Sequence, residues 1–128
     1  MGCNNKSINP EWLQWYYCVH KNKLKVFLHM AFECINIDRA KSLISEELAV
    51  VIDIRDPASY QSGHIDNAIH IDNSNVQTFL EDTDKTRPLI VCCYHGNMSK
   101  GAADYFNQQG FGKSYSLDGG FSEWAKQD

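Results

Sequence analysis

The sequence predicts an α/β domain in which a parallel sheet carries helices on both faces. Two observations carry this reading. From Met30 onward, short apolar runs alternate with stretches of helical periodicity, the pattern of strands joined by crossover helices. Two of these runs, Ala49-Val50-Val51-Ile52-Asp53-Ile54 and Leu89-Ile90-Val91-Cys92-Cys93, are almost continuously apolar. A strand covered on both faces reads this way, whereas a strand with one wet face alternates.

In chain order, Glu33 to Ile37 reads as the first strand, and Asp38 is placed to cap a helix running through Leu43 and Ile44 to about Glu47. Ala49 to Ile54 is the second strand. Asp56-Pro57 then opens a turn or short helix, which Gly63-His64-Ile65 ends. Ala68 to Ile71 makes the third strand, and a helix over Val76 to Glu81 follows with Ser74 or Asn75 as its cap. Leu89 to Cys93, bounded by Pro88, is the fourth strand. It breaks into a polar loop containing Gly96 and Asn97, residues that tolerate unusual backbone angles. Past Ser99 the chain turns helical, with Ala102, Ala103, Phe106 and Gln109 at helical spacing and Gly110 as a stop. Ser114 to Leu117 is the fifth strand and Asp118-Gly119-Gly120 a turn. Phe121, Trp124 and Ala125 share one side of a final helix.

At 128 residues the chain holds one domain with a core of its own. A hydrophobic content of 43% with 22% charged residues is ordinary for a globular protein. The net charge of −4 argues against a nucleic-acid partner, which leaves a basic footprint. No apolar run reaches the length of a membrane span. Five cysteines do not suggest a disulfide framework, so a reducing, cytoplasmic setting is expected. Residues 1–29 differ in texture, with Trp12, Trp15 and the Tyr16-Tyr17 pair. They lack a secretory h-region, and Lys6 stands where a myristoylation start needs Ser or Thr. Asn9-Pro10-Glu11 can open a helix carrying Trp12, Trp15, Tyr16 and Val19 on one face. The expected division is an N-terminal extension, 1–29, upstream of a true start at Met30, and a single domain over 30–128.

The chemistry centres on Cys93. A cysteine at the end of a buried strand, followed by a tight loop and a helix start, meets inward-turned N–H groups and the positive end of a helix dipole. Both favour thiolate. A free thiol, with a pKa of about 8.5, is only a few per cent ionised near neutrality. A depression of about two units, worth about 2.7 kcal/mol, makes it mostly thiolate. Cys92, inside the run, reads as a core residue. No metal site is expected, because Cys92, Cys93 and His95 are too crowded for the usual ligand spacings. In a parallel sheet, ligands bind beyond the carboxyl ends of the strands. The Asp53-Ile54-Arg55-Asp56 segment and the Asp118-Gly119-Gly120 turn are therefore expected on the same edge as the Cys93 loop. A phosphatase-type C-x5-R loop is disfavoured, since counting from Cys93 places Ser99 where the arginine should stand.

Several separated stretches together resemble the rhodanese family. They are Val51-Ile52-Asp53-Ile54-Arg55-Asp56-Pro57 with Tyr60, Gly63-His64-Ile65 and Ala68-Ile69, and later Asp118-Gly119-Gly120-Phe121 with Trp124. The Cys93-Tyr94-His95-Gly96-Asn97 loop with Ser99-Lys100-Gly101-Ala102-Ala103, and Phe32-Glu33-Cys34-Ile35-Asn36 near the start, are similar to the family's small single-domain bacterial thiosulfate sulfurtransferases.

The resemblance implies a rhodanese-like, five-stranded parallel sheet and a ping-pong reaction without a cofactor. In that reaction the Cys93 thiolate takes the outer sulfur of thiosulfate and releases sulfite. Cyanide, or a thiol acceptor such as a dithiol or thioredoxin, then removes it. Loop residues Tyr94, His95, Gly96, Asn97, Met98, Ser99 and Lys100 would receive the anionic donor, the amides of Tyr94 to Ser99 stabilising the charged sulfur. Asp53 and Arg55 would brace the loop as an internal ion pair, and His64 would brace the turn after Gly63. Met98 departs from the resembled enzymes, which carry serine there, and a weaker enzyme is expected. The alternative is a catalytically weak binding or regulatory module, with Met98, or a plug from Trp12 or Trp15, as the cause.

Overall fold

Five strands form one parallel sheet: β1 (Phe32–Ile35), β2 (Val50–Asp53), β3 (Ile69–His70), β4 (Leu89–Cys92) and β5 (Ser114–Leu117). The computed structural model describes residues 32–127. The helix expected after Asn9 and the Trp12 or Trp15 plug lie outside the described residues. The spatial order is β1-β5-β4-β2-β3. From the adjacent pair β2 and β4, the chain steps outward in opposite directions, to β3 and to β5. The crevice beyond the carboxyl ends of β2 and β4 is therefore the switch point at which such sheets bind ligands.

Five helices join them among the described residues: α1 (Ile37–Glu47), α2 (Pro57–Ser62), α3 (Val76–Asp82), α4 (Met98–Gln108) and α5 (Gly120–Trp124). Successive side chains of a strand point to opposite faces, and each face has its own core. On one, Val50, Ile52, Leu89 and Val91 meet Phe79, Phe106 and Phe111. The Phe79 ring stands edge-on to Phe106 and stacked on Phe111, both at 5.9 Å. Fully burying side chains of this size contributes about 1.5–3 kcal/mol each. On the other face, Val51, Ile90, Tyr115 and Leu117 pack with Ala40 and Leu43 of α1 and with Phe121 and Trp124 of α5. The same alternation assigns Cys92 to the α1–α5 face and Cys93 to the α3–α4 face.

Local boundaries refine the sequence reading, with β2 and β3 trimmed to Val50–Asp53 and Ile69–His70. Asn36, not Asp38, caps α1, its side chain accepting the Arg39 N–H at 2.9 Å. The reason is that β1 stops at Ile35, whose carbonyl accepts Asp118 N–H at 2.8 Å, so the helix starts earlier. Asn75 stands at the N-cap of α3, one of the two positions expected, but its side chain makes no capping bond. Its polar groups serve the preceding turn instead: Oδ1 accepts the Asp72 N–H at 2.8 Å, and Nδ2 donates to the His70 carbonyl at 2.7 Å. β4 ends at Cys92, leaving Cys93 in the loop, and α4 starts at Met98, ahead of Ser99.

Candidate active site

The loop between β4 and α4 owes its shape to contact with the turn after β5. Gly96 has φ 94°, and a Cβ there would lie 2.8 Å from the Gly119 nitrogen. Gly120 has φ 57°, and its Cβ would meet the Cys93 and Tyr94 carbonyl oxygens at 2.5 Å. Only glycine permits this approach at these angles. The first turn of α5 then captures the loop's carbonyls: Phe121 N–H donates to Cys93 O at 2.8 Å and Ser122 N–H to Tyr94 O at 3.0 Å. With those carbonyls engaged by α5, later N–H groups of the loop are left to face inward.

What they face is sulfur. The N–H groups of Gly96 and Ser99 both donate to Cys93 Sγ at 3.2 Å. The Cys93 thiol lies 3.3 Å from Ser99 Oγ, to which it donates. Ser99 Oγ in turn lies 2.7 Å from Ser116 Oγ. Ser99 and Ser116 have no exposed surface, and Cys93 keeps 3% of its own. The α4 N-terminus delivers the Ser99 amide, so a negative charge on this sulfur meets two N–H dipoles and the helix dipole together.

Outside the sulfur is a cleft of about 170 Å³ lined by Cys93, Tyr94, His95, Asn97 and Met98. Five of the expected site residues thus line one cleft, while Gly96 and Ser99 hold the sulfur through their amides. Lys100, half-buried in the first turn of α4, lies outside the lining. Asp53 and Arg55, both buried, form a forked pair with Nη2 to Oδ2 at 2.8 Å and Nε to Oδ1 at 3.0 Å. Arg55 also donates to the Gly63 carbonyl at 2.7 Å and lies 4.3 Å over the Phe121 ring. It therefore ties the segment after β2 to the helix that grips the Cys93 loop. His64 stands apart from the cleft, stacked on Tyr60 at 3.8 Å, with Nδ1 2.7 Å from the Tyr60 carbonyl.

Two features were not read from the sequence. Ser116 was seen only as part of a strand. The Tyr94 hydroxyl bonds to Asp56 and Ser59 and so straps the loop to α2. The Tyr94 and Ser59 hydroxyls hold the Asp56 carboxyl at about 2, below its usual range. The Asp56-Pro57 cap was legible; the tyrosine that shares its carboxylate was not, being 38 residues away. Among the described residues, no three His, Cys, Asp or Glu side chains are placed to hold a metal ion. No helix among them is long and apolar enough to cross a membrane.

Comparison with known proteins gives one family. The model of the rhodanese-like domain matches residues 36–127. Among solved structures, the rhodanese-like domain of an Anabaena sp. protein superposes with a TM-score of 0.63 at 23% identity, covering 72% of each chain. A rhodanese-related protein from Thermoplasma volcanium is 25% identical, with a TM-score of 0.56 over 74% of this chain and 92% of that one. The human single-domain sulfurtransferase TSTD1 shares the fold, with a TM-score of 0.62, at 16% identity over 74% of this chain and 96% of its own.

Proposed function

Because the chain belongs to the rhodanese-like domain family, we propose that it is a thiosulfate sulfurtransferase that carries sulfane sulfur on Cys93. The Cys93 thiolate attacks the outer sulfur of thiosulfate. The sulfur–sulfur bond of the donor breaks, sulfite leaves with its electron pair, and a Cys93 persulfide anion remains. A thiolate acceptor, from a small dithiol or thioredoxin, or cyanide, attacks the outer persulfide sulfur and restores the Cys93 thiolate. Splitting the transfer in two lets one loop stabilise two anions in turn.

The observation that carries this reading is the pair of N–H groups, from Gly96 and Ser99, at 3.2 Å from a sulfur that opens on a cleft. Tyr94, His95, Asn97 and Met98 form the walls that receive the donor. Lys100, in the first turn of α4, adds a positive charge that acts on the anion at longer range. Asp53, Arg55 and, more remotely, His64 keep the surrounding turns in place. No step in this sequence calls on a cofactor or metal.

The test is intact mass after mixing the protein with thiosulfate, for the parent chain and for Cys93→Ser and Cys93→Ala. The parent is expected to gain one sulfur atom and lose it to cyanide with thiocyanate appearing, while both variants gain nothing. Parent protein that gains no sulfur from thiosulfate, or variants that still gain it, would overturn the reading. In the first case a different sulfur donor or the catalytically weak binding module becomes the better account.

A further inference from the structure

Ser116 is not part of the cleft, yet it completes a buried chain of hydroxyls that ends on the reactive sulfur. We propose that Ser116 is a positioning residue that sets how readily Cys93 ionises, acting only through Ser99. The inference rests on the reading of Cys93 as the nucleophile.

Ser99 has one hydroxyl proton and two neighbours, Cys93 Sγ at 3.3 Å and Ser116 Oγ at 2.7 Å. With Cys93 as a thiol, the S–H donates to Ser99 Oγ and the Ser99 proton goes to Ser116. When the thiol loses its proton, sulfur becomes a pure acceptor. The Ser99 O–H then turns to the sulfur, and the lone pair it exposes is filled by the Ser116 O–H. The chain reverses direction without moving a heavy atom. A hydrogen bond to an ionised acceptor is stronger than a neutral one, and aligned hydroxyls reinforce one another. The thiolate therefore gains more from Ser116 than the thiol does. All three residues are buried, so bulk water does not substitute for the missing link. The position follows from the sheet: β5 lies beside β4, with Ser116 in register with Val91, whose side chain shares a face with that of Cys93.

The test is the pH profile of Cys93 alkylation by iodoacetamide on the full chain, read at that site by peptide mass spectrometry. Titratable groups on the surrounding elements are Cys92 on β4, Tyr94 and His95 in the loop, Lys100, Asp104 and Tyr105 on α4, the Asp53–Arg55 pair, Tyr115 and Asp118 on and after β5, and Glu33 and Cys34 on β1. All are constant across the variants, so differences between profiles isolate the hydroxyls. Ser116→Ala is expected to slow alkylation near neutrality by about 3- to 10-fold and move the profile to higher pH. Ser99→Ala is expected to do the same, and Ser116→Ala added to it is expected to change nothing further. Ser116→Thr and Ser116→Val, alike in shape, should separate, with the threonine close to the parent and the valine close to the alanine variant. This pair decides the matter if Ser116→Ala does not fold. An unmoved profile, an equal shift with and without Ser99, or coincident threonine and valine variants would overturn the proposal. Because the readout is thiol reactivity, it separates this proposal from sulfur transfer itself: either can fail while the other stands.

Discussion

Cys92 and Cys93 are neighbours in the chain and both are buried, at 0% and 3% exposure, yet the sheet gives them opposite surroundings. Cys92 faces the α1–α5 core, where burial, reinforced by the nearby Asp53 and Cys93 charges, pushes its thiol well above the ordinary range. Cys93 faces the other way, and two N–H groups and a hydroxyl converge on it. Burial alone penalises a thiolate, whereas fixed N–H and O–H donors favour one. The difference is one residue of strand alternation together with the end of β4, which leaves Cys92 inside the ladder and Cys93 free to be wrapped.

The wrapping is where the contrast breaks most completely. Gly120 sits at φ 57° with the Cys93 and Tyr94 carbonyls where a side chain would be. Gly120→Ala combines left-handed strain of about 1–2 kcal/mol with a backbone clash that only movement of the loop relieves. A loss of about 2–4 kcal/mol in urea unfolding is expected. Persulfide formation at Cys93 should fall by at least about tenfold, because displaced carbonyls also displace the Gly96 and Ser99 amides. Normal sulfur loading in a folded Gly120→Ala protein would show that the turn after β5 does not shape the donor set.

A smaller effect, of opposite kind, is expected at Cys92. Cys92→Ser puts a more strongly hydrated hydroxyl into the buried α1–α5 core, where the Cys93 carbonyl, 3.5 Å from Cys92 Sγ, is its nearest acceptor, costing about 1–3 kcal/mol of stability. Sulfur loading at Cys93 should stay within about twofold of the parent when assayed below the unfolding transition. The two substitutions together therefore separate holding the fold from holding the sulfur. If Cys92→Ser abolished loading without lowering the urea midpoint, the division between the two faces would be wrong.

Much of this was legible because buried parallel strands leave long apolar runs, and chain order then places Asp53, Cys93 and Asp118 at one sheet edge. The Asp53–Arg55 pair was readable for the same reason: two opposite charges two residues apart beside a buried strand have little choice but each other. What escaped were contacts whose partners are far apart in sequence and chemically unremarkable alone. Ser116 lies 17 residues from Ser99, and a serine in a strand looks the same whether its hydroxyl meets a backbone carbonyl or a reactive site. Ser114, two residues earlier, takes the backbone option, donating to the Ala103 carbonyl at 2.7 Å. The α1 cap was missed because Asn36 and Asp38 are both good caps, and a tertiary bond to Ile35 chose between them.

The finest distinction lies at Met98, the first residue of α4, which lines the cleft and also packs partly buried against the α3–α4 core. If thiosulfate is the donor, as proposed, the thioether would offer the donor's sulfonate oxygens an apolar wall where a serine would offer a proton. Met98→Ser adds one hydrogen bond to a charged partner and removes some packing, and these two consequences are measurable separately. A bond to a charged partner corresponds to about 1.5–3 kcal/mol, hence a gain of about 10- to 150-fold in the thiosulfate half-reaction if it is made in full. The lost contact should lower the urea midpoint by an amount equivalent to about 1 kcal/mol. The gain should appear in the rate with thiosulfate, whereas alkylation of Cys93 by neutral iodoacetamide should change little, since the amides at the sulfur are backbone groups that the substitution leaves in place. A Met98→Ser protein that alkylates faster but loads sulfur no faster would mean that this side chain acts on the thiolate and not on the donor. The contrast between the two cysteines would then extend to the first turn of the helix.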